Sequence, residues 1–362
     1  MLSSRTHGGR DLPQYYLVYF LLIDFLGFPS MGKWEKSAWT IPIRYRGKLY
    51  GIEHRKMGLG VFAPNLDPLA MKSGSPSTEA EVDAKEITTL IIKAVSVAEP
   101  YFKWRAEQAA STSLFNVLNK SDPLFERYEF FCNRFKTLSD EAQKKGVDRM
   151  IAGDKTTVMP KKLSIYIKQK EATWNAQAAI DAFFSWTEHV FIHLAILQSK
   201  IKSGDSVAIL AKSDWNSKFK AALNLADSET KEHYDRLLDI RTQIRNFMTH
   251  GAFGKKGEAF QFHSGAGSVP VLLTESQKNR YSLNGKSAFD EQSAIAAIEQ
   301  FIGFLWSDSR LPAQHYILSS LPSILTLAED GTYTKCMESE DKMKALVERL
   351  TYEFDNAGNM DW

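Results

Sequence analysis

The chain has 362 residues, of which 44% are hydrophobic and 24% charged, and its formal net charge is +2. This length predicts two or three domains with a real core. The near-neutral charge gives no indication of a histone-like electrostatic binder and excludes neither RNA nor a small ligand. The two cysteines, Cys132 and Cys336, are too few for a disulfide framework or a zinc site. We therefore expect a reducing, cytoplasmic setting and no cofactor.

An apolar run covers residues 15 to 28. It is too short to cross a bilayer and contains Asp24, and no small-residue cleavage site follows it, as a signal peptide would require. We interpret this run as a buried helix or a pair of strands, and we expect no membrane association.

Residues 1 to 63 predict a β-rich N-terminal module. Segments 38 to 45 and 49 to 53 flank a short hairpin turn, and residues 59 to 62 suit a third strand. A linker rich in Pro, Gly and Ser is predicted to follow, over residues 64 to 77.

Basic and aromatic side chains are interleaved in this module, which has nine Lys or Arg against four Asp or Glu over residues 1 to 62. Such a mixture suits a surface that stacks bases and contacts phosphates, with Arg44 and Arg46 as candidate RNA-binding residues. The alternative is a half-buried sheet with a solvated charged face. The aromatic residues concerned are Trp34, Trp39, Tyr45 and Tyr50.

A region of long helices is predicted over residues 78 to 164. Its first helix covers residues 78 to 110 and is interrupted or kinked at Pro100, because proline lacks the amide hydrogen that a helix interior needs. Its second helix covers residues 123 to 145, where aromatic residues recur at three- and four-residue steps.

The most apolar helix of the chain is predicted over residues 171 to 200, and we expect it to lie at the centre of a core. It carries a polar line that includes Glu188. His189 and His193 share one face of this helix and could together bind a metal ion. No nearby pattern of Cys, His or Asp supplies a third ligand, so we interpret the pair as part of a polar stripe.

A shorter helix over residues 213 to 225 leads into an amphipathic helix over residues 228 to 251. Ser228 is its expected N-cap, acidic residues occupy the first turn, and Gly251 is a natural stop. Its last turn carries Arg245, Asn246 and His250. Its apolar face is formed by Leu237, Ile240, Ile244, Phe247 and Met248.

This last turn resembles the R-N-x-x-x-H motif of the HEPN superfamily (higher eukaryotes and prokaryotes nucleotide-binding), small helical domains of which many are metal-independent ribonucleases. The resemblance covers residues 165 to 307 and implies that Arg245 and His250 are the catalytic pair, with Asn246 as the polar residue after the arginine. It also implies that Glu188 is a supporting acidic residue. A homodimer with a composite site, a toxin or antiviral role and an inhibitory partner protein are further implications.

The chemistry of RNA cleavage suits these residue types. RNA supplies its own nucleophile, the 2′-hydroxyl, so an enzyme adds an acid, a base and positive charge. Histidine titrates in the right range, and arginine binds phosphate through two parallel hydrogen bonds. Positions five apart in a helix are ~140° apart around its axis. Arg245 and His250 therefore do not share a face, and a single-protomer site requires the last turn to unwind.

Two alternatives to catalysis stay open at this point. His250 can be a helix-capping residue that binds the last carbonyls, with Arg245 in solvent. The helical domain can also be a non-catalytic module that binds RNA, nucleotide or a protein partner. A second match to the motif, from Arg310 to His315, contains Pro312 and is discarded, because proline breaks or starts a helix there.

Beyond the motif, residues 258 to 273 predict a β-hairpin, and Lys255 and Lys256 just before it are candidate RNA-binding residues. A helix over residues 290 to 306 completes the predicted bundle, and residues 308 to 362 form a C-terminal helical extension. The predicted fold is therefore mainly α, with a small β-rich N-terminal module and a hairpin after the motif helix.

Overall fold

A computed structural model describes residues 3–64, 77–152, 159–250, 260–273, 281–283 and 290–360. It is 67% helical and 13% strand, with a small antiparallel sheet at the N-terminus, which confirms the mainly α prediction. The chain divides into two compact units, Met1–Leu114 with Ala345–Trp362, and Phe115–Lys344.

A four-stranded antiparallel sheet forms part of the first unit, with strand order β1-β4-β3-β2. Arg46 and Gly47 join the central hairpin with φ values of 47° and 79°, the left-handed conformation that a two-residue hairpin turn requires. The hairpin predicted from the sequence is therefore confirmed. The strands are β1 (Ser3–Arg5), β2 (Ser37–Tyr45), β3 (Lys48–Arg55) and β4 (Gly58–Pro64).

Helices cover one face of this sheet, because its alternating apolar side chains require an apolar cover. The helices are α1 (Tyr15–Tyr19), a π-helical segment (Phe20–Phe25), α2 (Thr78–Val97) and α3 (Glu99–Ala110). Ile41, Ile52 and Val61 of the sheet share a core with Ile87 and Ile91 of α2. The predicted module of residues 1 to 63 is thus only part of a larger unit.

The structure decides two predictions about these helices. The apolar run of residues 15 to 28 is helical at its start and not a pair of strands. The break expected at Pro100 falls at Ala98, which places Pro100 in the first turn of α3, where no amide donor is needed. Across the described ranges of the chain, no helix combines the length and apolar character that a membrane crossing demands.

The second unit is built around two long helices, α4 (Ser121–Ala152) and α5 (Met159–Leu197). They are antiparallel, because residues taken in order along α4 meet residues in reverse order along α5. The contacting pairs are Phe125 with Trp186, Tyr128 with Phe183, and Glu141 with Lys168. Helix α5 starts well before the predicted residue 171, and it is the central core helix as predicted.

Shorter elements complete the second unit. Two short helices precede the motif helix, and only the second of them was predicted from the sequence. In chain order the shorter elements are β5 (Asn116–Val117), α6 (Gly204–Lys212), α7 (Trp215–Ala222), α8 (Ser228–His250), β6 (Phe260–Ser264), β7 (Gly267–Leu273), β8 (Tyr281–Ser282), α9 (Glu291–Leu305), α10 (Leu311–Leu318), β9 (Ser323–Ile324), α11 (Leu325–Glu329) and α12 (Thr332–Cys336). A last helix, α13 (Glu340–Asn359), begins in this unit and continues into the first.

The hairpin predicted after the motif is confirmed as β6 and β7, which pair from Phe260 with Val271 to Ser264 with Gly267. A short third strand, β8, pairs with the end of β7 and was not predicted. The predicted helical domain of residues 165 to 307 lies wholly inside the second unit, which begins earlier and ends later.

Candidate functional site

The motif helix α8 is continuous from Ser228 to His250, so the motif occupies its last turns. The side chains of Arg245, Asn246 and His250 lie outside the described part of the structure, as do Lys255 and Lys256 entirely. The helical backbone alone places positions 245 and 250 ~140° apart around the axis.

The N-terminus of α8 differs from the prediction in one respect, because the N-cap is Asp227 and not Ser228. The Asp227 carboxylate accepts hydrogen bonds from the Thr230 backbone amide at 2.8 Å and from the Thr230 hydroxyl at 2.6 Å. These bonds lower the pKa of Asp227. A carboxylate at this place satisfies a free amide and is stabilised by the helix dipole.

The apolar face of α8 packs into the second unit through Leu237, Ile240 and Ile244, all of which are buried as predicted. Contacts with α9 run beside this face: the His233 ring stacks on Phe304 with a centroid distance of 4.6 Å, and Arg236 Nη1 donates to Gln300 Oε1 at 2.8 Å.

Glu188 of α5 is the sequence-predicted site residue with the best-defined surroundings. Its Oε2 atom accepts a hydrogen bond from Lys218 Nζ at 2.6 Å, and its Oε1 atom accepts one from Arg241 Nη2 at 3.3 Å. The Lys218 side chain is only 6% exposed, whereas that of Arg241 is 36% exposed. Glu188 thus lies between α7 and α8, and its side chain is 32% exposed.

Lys218 and Arg241 were missed by sequence reasoning, because each meets Glu188 only through tertiary packing. The Arg241 guanidinium also lies over two aromatic rings, at 5.6 Å from the Phe184 centroid and 5.7 Å from that of Trp215. This arrangement fixes the cation by cation–π attraction as well as by its ion pair.

Arg241 connects the Glu188 cluster to the motif. Positions 241 and 245 are four apart on α8, so they lie ~40° apart around the axis and one turn apart along it. Arg241 also interacts electrostatically with the Asp214 carboxylate, so the two cations Lys218 and Arg241 are matched by the two carboxylates Glu188 and Asp214. Position 250 lies on a different edge of the helix.

The histidine pair of α5 is a buried structural contact. His189 Nε2 accepts a hydrogen bond from the Lys120 backbone amide at 2.8 Å, so it carries no proton there. His193 Nε2 lies 3.0 Å from the same atom, and His193 Nδ1 lies 2.7 Å from Ser323 Oγ. The pair fastens β9 to α5.

Burial lowers the pKa of both rings, that of His189 to about 4 and that of His193 to about 3. His189 Nε2 and both ring nitrogens of His193 are engaged with each other and with the protein. Among the residues that the structure describes, no group of three or more His, Cys, Asp or Glu is placed to hold a metal ion.

These low values predict that acid destabilises the protein. In the unfolded chain these histidines bind protons below their ordinary pKa of about 6.5, whereas in the folded chain they stay neutral down to about pH 4. The free energy of unfolding therefore falls as the pH falls from about 6.5 to about 4. We expect a loss of about 3 kcal/mol from pH 7 to pH 5, since partial exposure of His189 reduces its share. Urea titrations at the two pH values measure it.

The matched variants for this measurement are His189→Gln with His193→Gln, and His263→Gln. The double variant should lose most of the difference between pH 7 and pH 5, whatever its stability at pH 7. His263 is exposed on the β6–β7 hairpin, so its variant should keep the wild-type difference. An equal pH dependence in the double variant and the wild type would contradict the assignment.

The two basic candidates of the N-terminal module differ in their surroundings. Arg46 is ion-paired with Asp83 at 3.1 Å and with Glu86 at 2.8 Å, so acidic residues of α2 offset its charge. Arg44 is exposed and makes no ion pair within the described residues. Trp39 and Tyr50 are buried in the core and are not available for base stacking. RNA binding by Arg44 and Arg46 stays a prediction, with Arg44 the better placed.

The discarded second motif has structural roles. The Arg310 guanidinium donates to the carbonyls of Phe304 at 2.6 Å and Leu305 at 3.0 Å, which caps the end of α9. His315 Nε2 lies 2.8 Å from Glu340 Oε2. Pro312 occupies the first turn of α10.

The chain matches no family model, no curated protein and no solved structure. The resemblance to the HEPN superfamily is therefore carried by the motif residues and by their place at the end of α8.

Proposed function

We propose that this protein is a metal-independent endoribonuclease of the HEPN type, which cleaves RNA by attack of the 2′-hydroxyl and leaves a 2′,3′-cyclic phosphate. The observation that carries the proposal is the R-N-x-x-x-H sequence at the C-terminal end of a long helix, one turn beyond the Glu188–Arg241 ion pair. The arginine of the motif supplies the positive charge that binding of a phosphate requires.

Each motif residue has a role that its chemistry supports. His250 acts as general base or acid on the 2′-hydroxyl or the leaving 5′-oxygen. Arg245 stabilises the charge that develops on the phosphate, and Asn246 positions it. Glu188 does not contact substrate in this scheme; it holds Arg241 in place.

The helical geometry favours a composite site. Because positions 245 and 250 are ~140° apart, a homodimer in which two α8 helices meet can place the arginine of one protomer beside the histidine of its partner. A toxin or antiviral defence effector controlled by an inhibitory partner protein fits such an activity. The alternative is a non-catalytic HEPN-like module that binds RNA, nucleotide or a protein, and the experiments below distinguish the two.

The first test is cleavage in the presence of a chelator. We expect RNA to be cleaved at an unchanged rate in EDTA, with 2′,3′-cyclic phosphate ends, because the nucleophile belongs to the RNA and the acid–base groups to the protein. DNA of the same sequence is the control and should stay intact, since it lacks the 2′-hydroxyl. Loss of activity in EDTA with recovery in zinc or manganese would contradict the mechanism and return attention to His189 and His193.

A further inference from the structure

An apolar groove lies in the first unit, between the π-helical segment (Phe20–Phe25) and the adjoining ends of α2 and α3. Its volume is about 580 Å³. Leu21 and Ala98 form a buried floor, and Phe25, Leu26, Leu90 and Val97 form walls that are 51–81% exposed. So many large apolar side chains around one groove are a typical mark of a binding site.

The π-helical segment shapes one wall of the groove. The Leu26 amide donates to the Leu21 carbonyl at 3.0 Å, and the Phe28 amide donates to the Leu22 carbonyl at 2.8 Å, so the turn is wider than in an α-helix. Phe25 and Leu26 follow this turn at 53% and 51% exposure. π-Helical turns of this kind are rare and are frequent at functional sites.

The opposite wall is a stripe of α2. Leu90, Ala94 and Val97 are spaced four and three residues apart, so they lie on one side of the helix. Leu90 and Val97 are not part of the core that Ile87 and Ile91 form with the sheet, whereas Ala94 packs against that core and also lines the groove. Helix α2 is therefore apolar on two sides, one for the core and one for the groove.

The charge at the groove is a single cation. Lys93 is the one charged residue that lines it, and within the described residues it makes no ion pair. The other charges nearby are neutralised in pairs: Asp24 accepts hydrogen bonds from Tyr101 and Arg105, and Glu99 pairs with Lys103 at 2.8 Å. A complementary ligand is therefore apolar along most of its length and carries one negative charge.

We propose that this groove binds a free long-chain fatty acid, with its carboxylate at Lys93 and its hydrocarbon chain along Leu90, Val97 and the π-helical wall. The volume of the groove, about 580 Å³, lies within the range of about 300–1,000 Å³ that is typical of small-molecule sites. This site is separate from the motif in α8 and does not rest on the proposed ribonuclease activity.

The test is displacement of a fluorescent fatty acid, 11-(dansylamino)undecanoic acid, from the full-length protein. Palmitate and oleate should displace it, and each two carbons removed from the competitor should weaken binding about fourfold or more. Hexadecanol should bind about fivefold more weakly than palmitate, because it lacks the charge that Lys93 recognises at an exposed site.

Matched variants on α2 locate the site. Val97→Asp should weaken binding at least tenfold, whereas Val82→Asp, on the same helix but outside the groove, should leave it unchanged; both valines are exposed, at 81% and 50%, so both variants should fold. Lys93→Ala should remove the preference for palmitate over hexadecanol, and Lys85→Ala should retain it.

Three outcomes would overturn the proposal. The first is absence of probe binding, and the second is binding that Val97→Asp and Val82→Asp affect equally. The third is a different occupant. If the protein self-associates, and this association is lost in Val97→Asp but is insensitive to palmitate, the groove binds a second copy of the chain. If the protein sediments with phosphatidylcholine vesicles but does not bind free palmitate, the groove binds a lipid surface.

Discussion

Replacing His250 with alanine should remove most RNA cleavage, by a factor of about 10²–10⁴, because a positioned acid–base group contributes that much to the rate. Folding should change little, since a histidine at a helix end contributes at most ~2 kcal/mol through the dipole. Single-turnover cleavage of a labelled RNA measures the first quantity, and urea titration measures the second.

Arg245→Ala should reduce cleavage to a similar degree, and Arg245→Lys should not restore it, because a point charge cannot reproduce the two parallel hydrogen bonds of a guanidinium. His315→Ala serves as the control, since His315 pairs with Glu340 at the surface and should have no effect on cleavage. If the site is composite, a mixture of Arg245→Ala and His250→Ala protomers should recover part of the activity.

Two results would contradict the enzymatic proposal. Wild-type protein that binds RNA without cleaving it, with both variants behaving alike, would favour the non-catalytic binding module. Variants that unfold or no longer dimerise would favour a capping role for His250 and a structural role for Arg245.

Replacing Glu188 with alanine should lower the free energy of unfolding by about 1–3 kcal/mol, because it leaves the buried ammonium of Lys218 without its carboxylate, while the 32% exposure of Glu188 lets solvent offset part of the loss. Removing both charges, with Glu188→Leu and Lys218→Met together, should recover most of this loss, since an apolar pair costs no desolvation. Denaturant unfolding followed by circular dichroism measures both.

The matched control is an exposed ion pair in the same unit, Lys136 with Glu299 at 2.6 Å, whose side chains are 50% and 45% exposed. Lys136→Ala should cost less than ~1 kcal/mol, because solvent screens such pairs. A loss of this small size in Glu188→Ala would contradict the assignment of Glu188 as the carboxylate that stabilises the buried ammonium of Lys218.

The sequence by itself determined the local structure. The turn at Arg46 and Gly47, the hairpin that turns before Gly267, the break next to Pro100 and the part of the apolar stripe of α8 from Leu237 to Ile244 are all confirmed. Each depends on residues no more than a few positions apart, so the chain's own spacing and turn chemistry suffice. The N-cap at Asp227 could also have been predicted from the sequence, since aspartate is as good an N-cap as the serine that follows it, Ser228.

Only the tertiary structure decided the surroundings of the charged residues. Glu188 meets Lys218 and Arg241 from 30 and 53 residues away, His193 meets Ser323 from 130 residues away, and Arg46 meets Asp83 across the sheet and α2. The sequence shows which charged side chains are able to form ion pairs, but the packing of the helices determines which of these pairs form. Packing also determines how far each charged side chain is buried, and burial sets the energetic cost of leaving that charge unpaired.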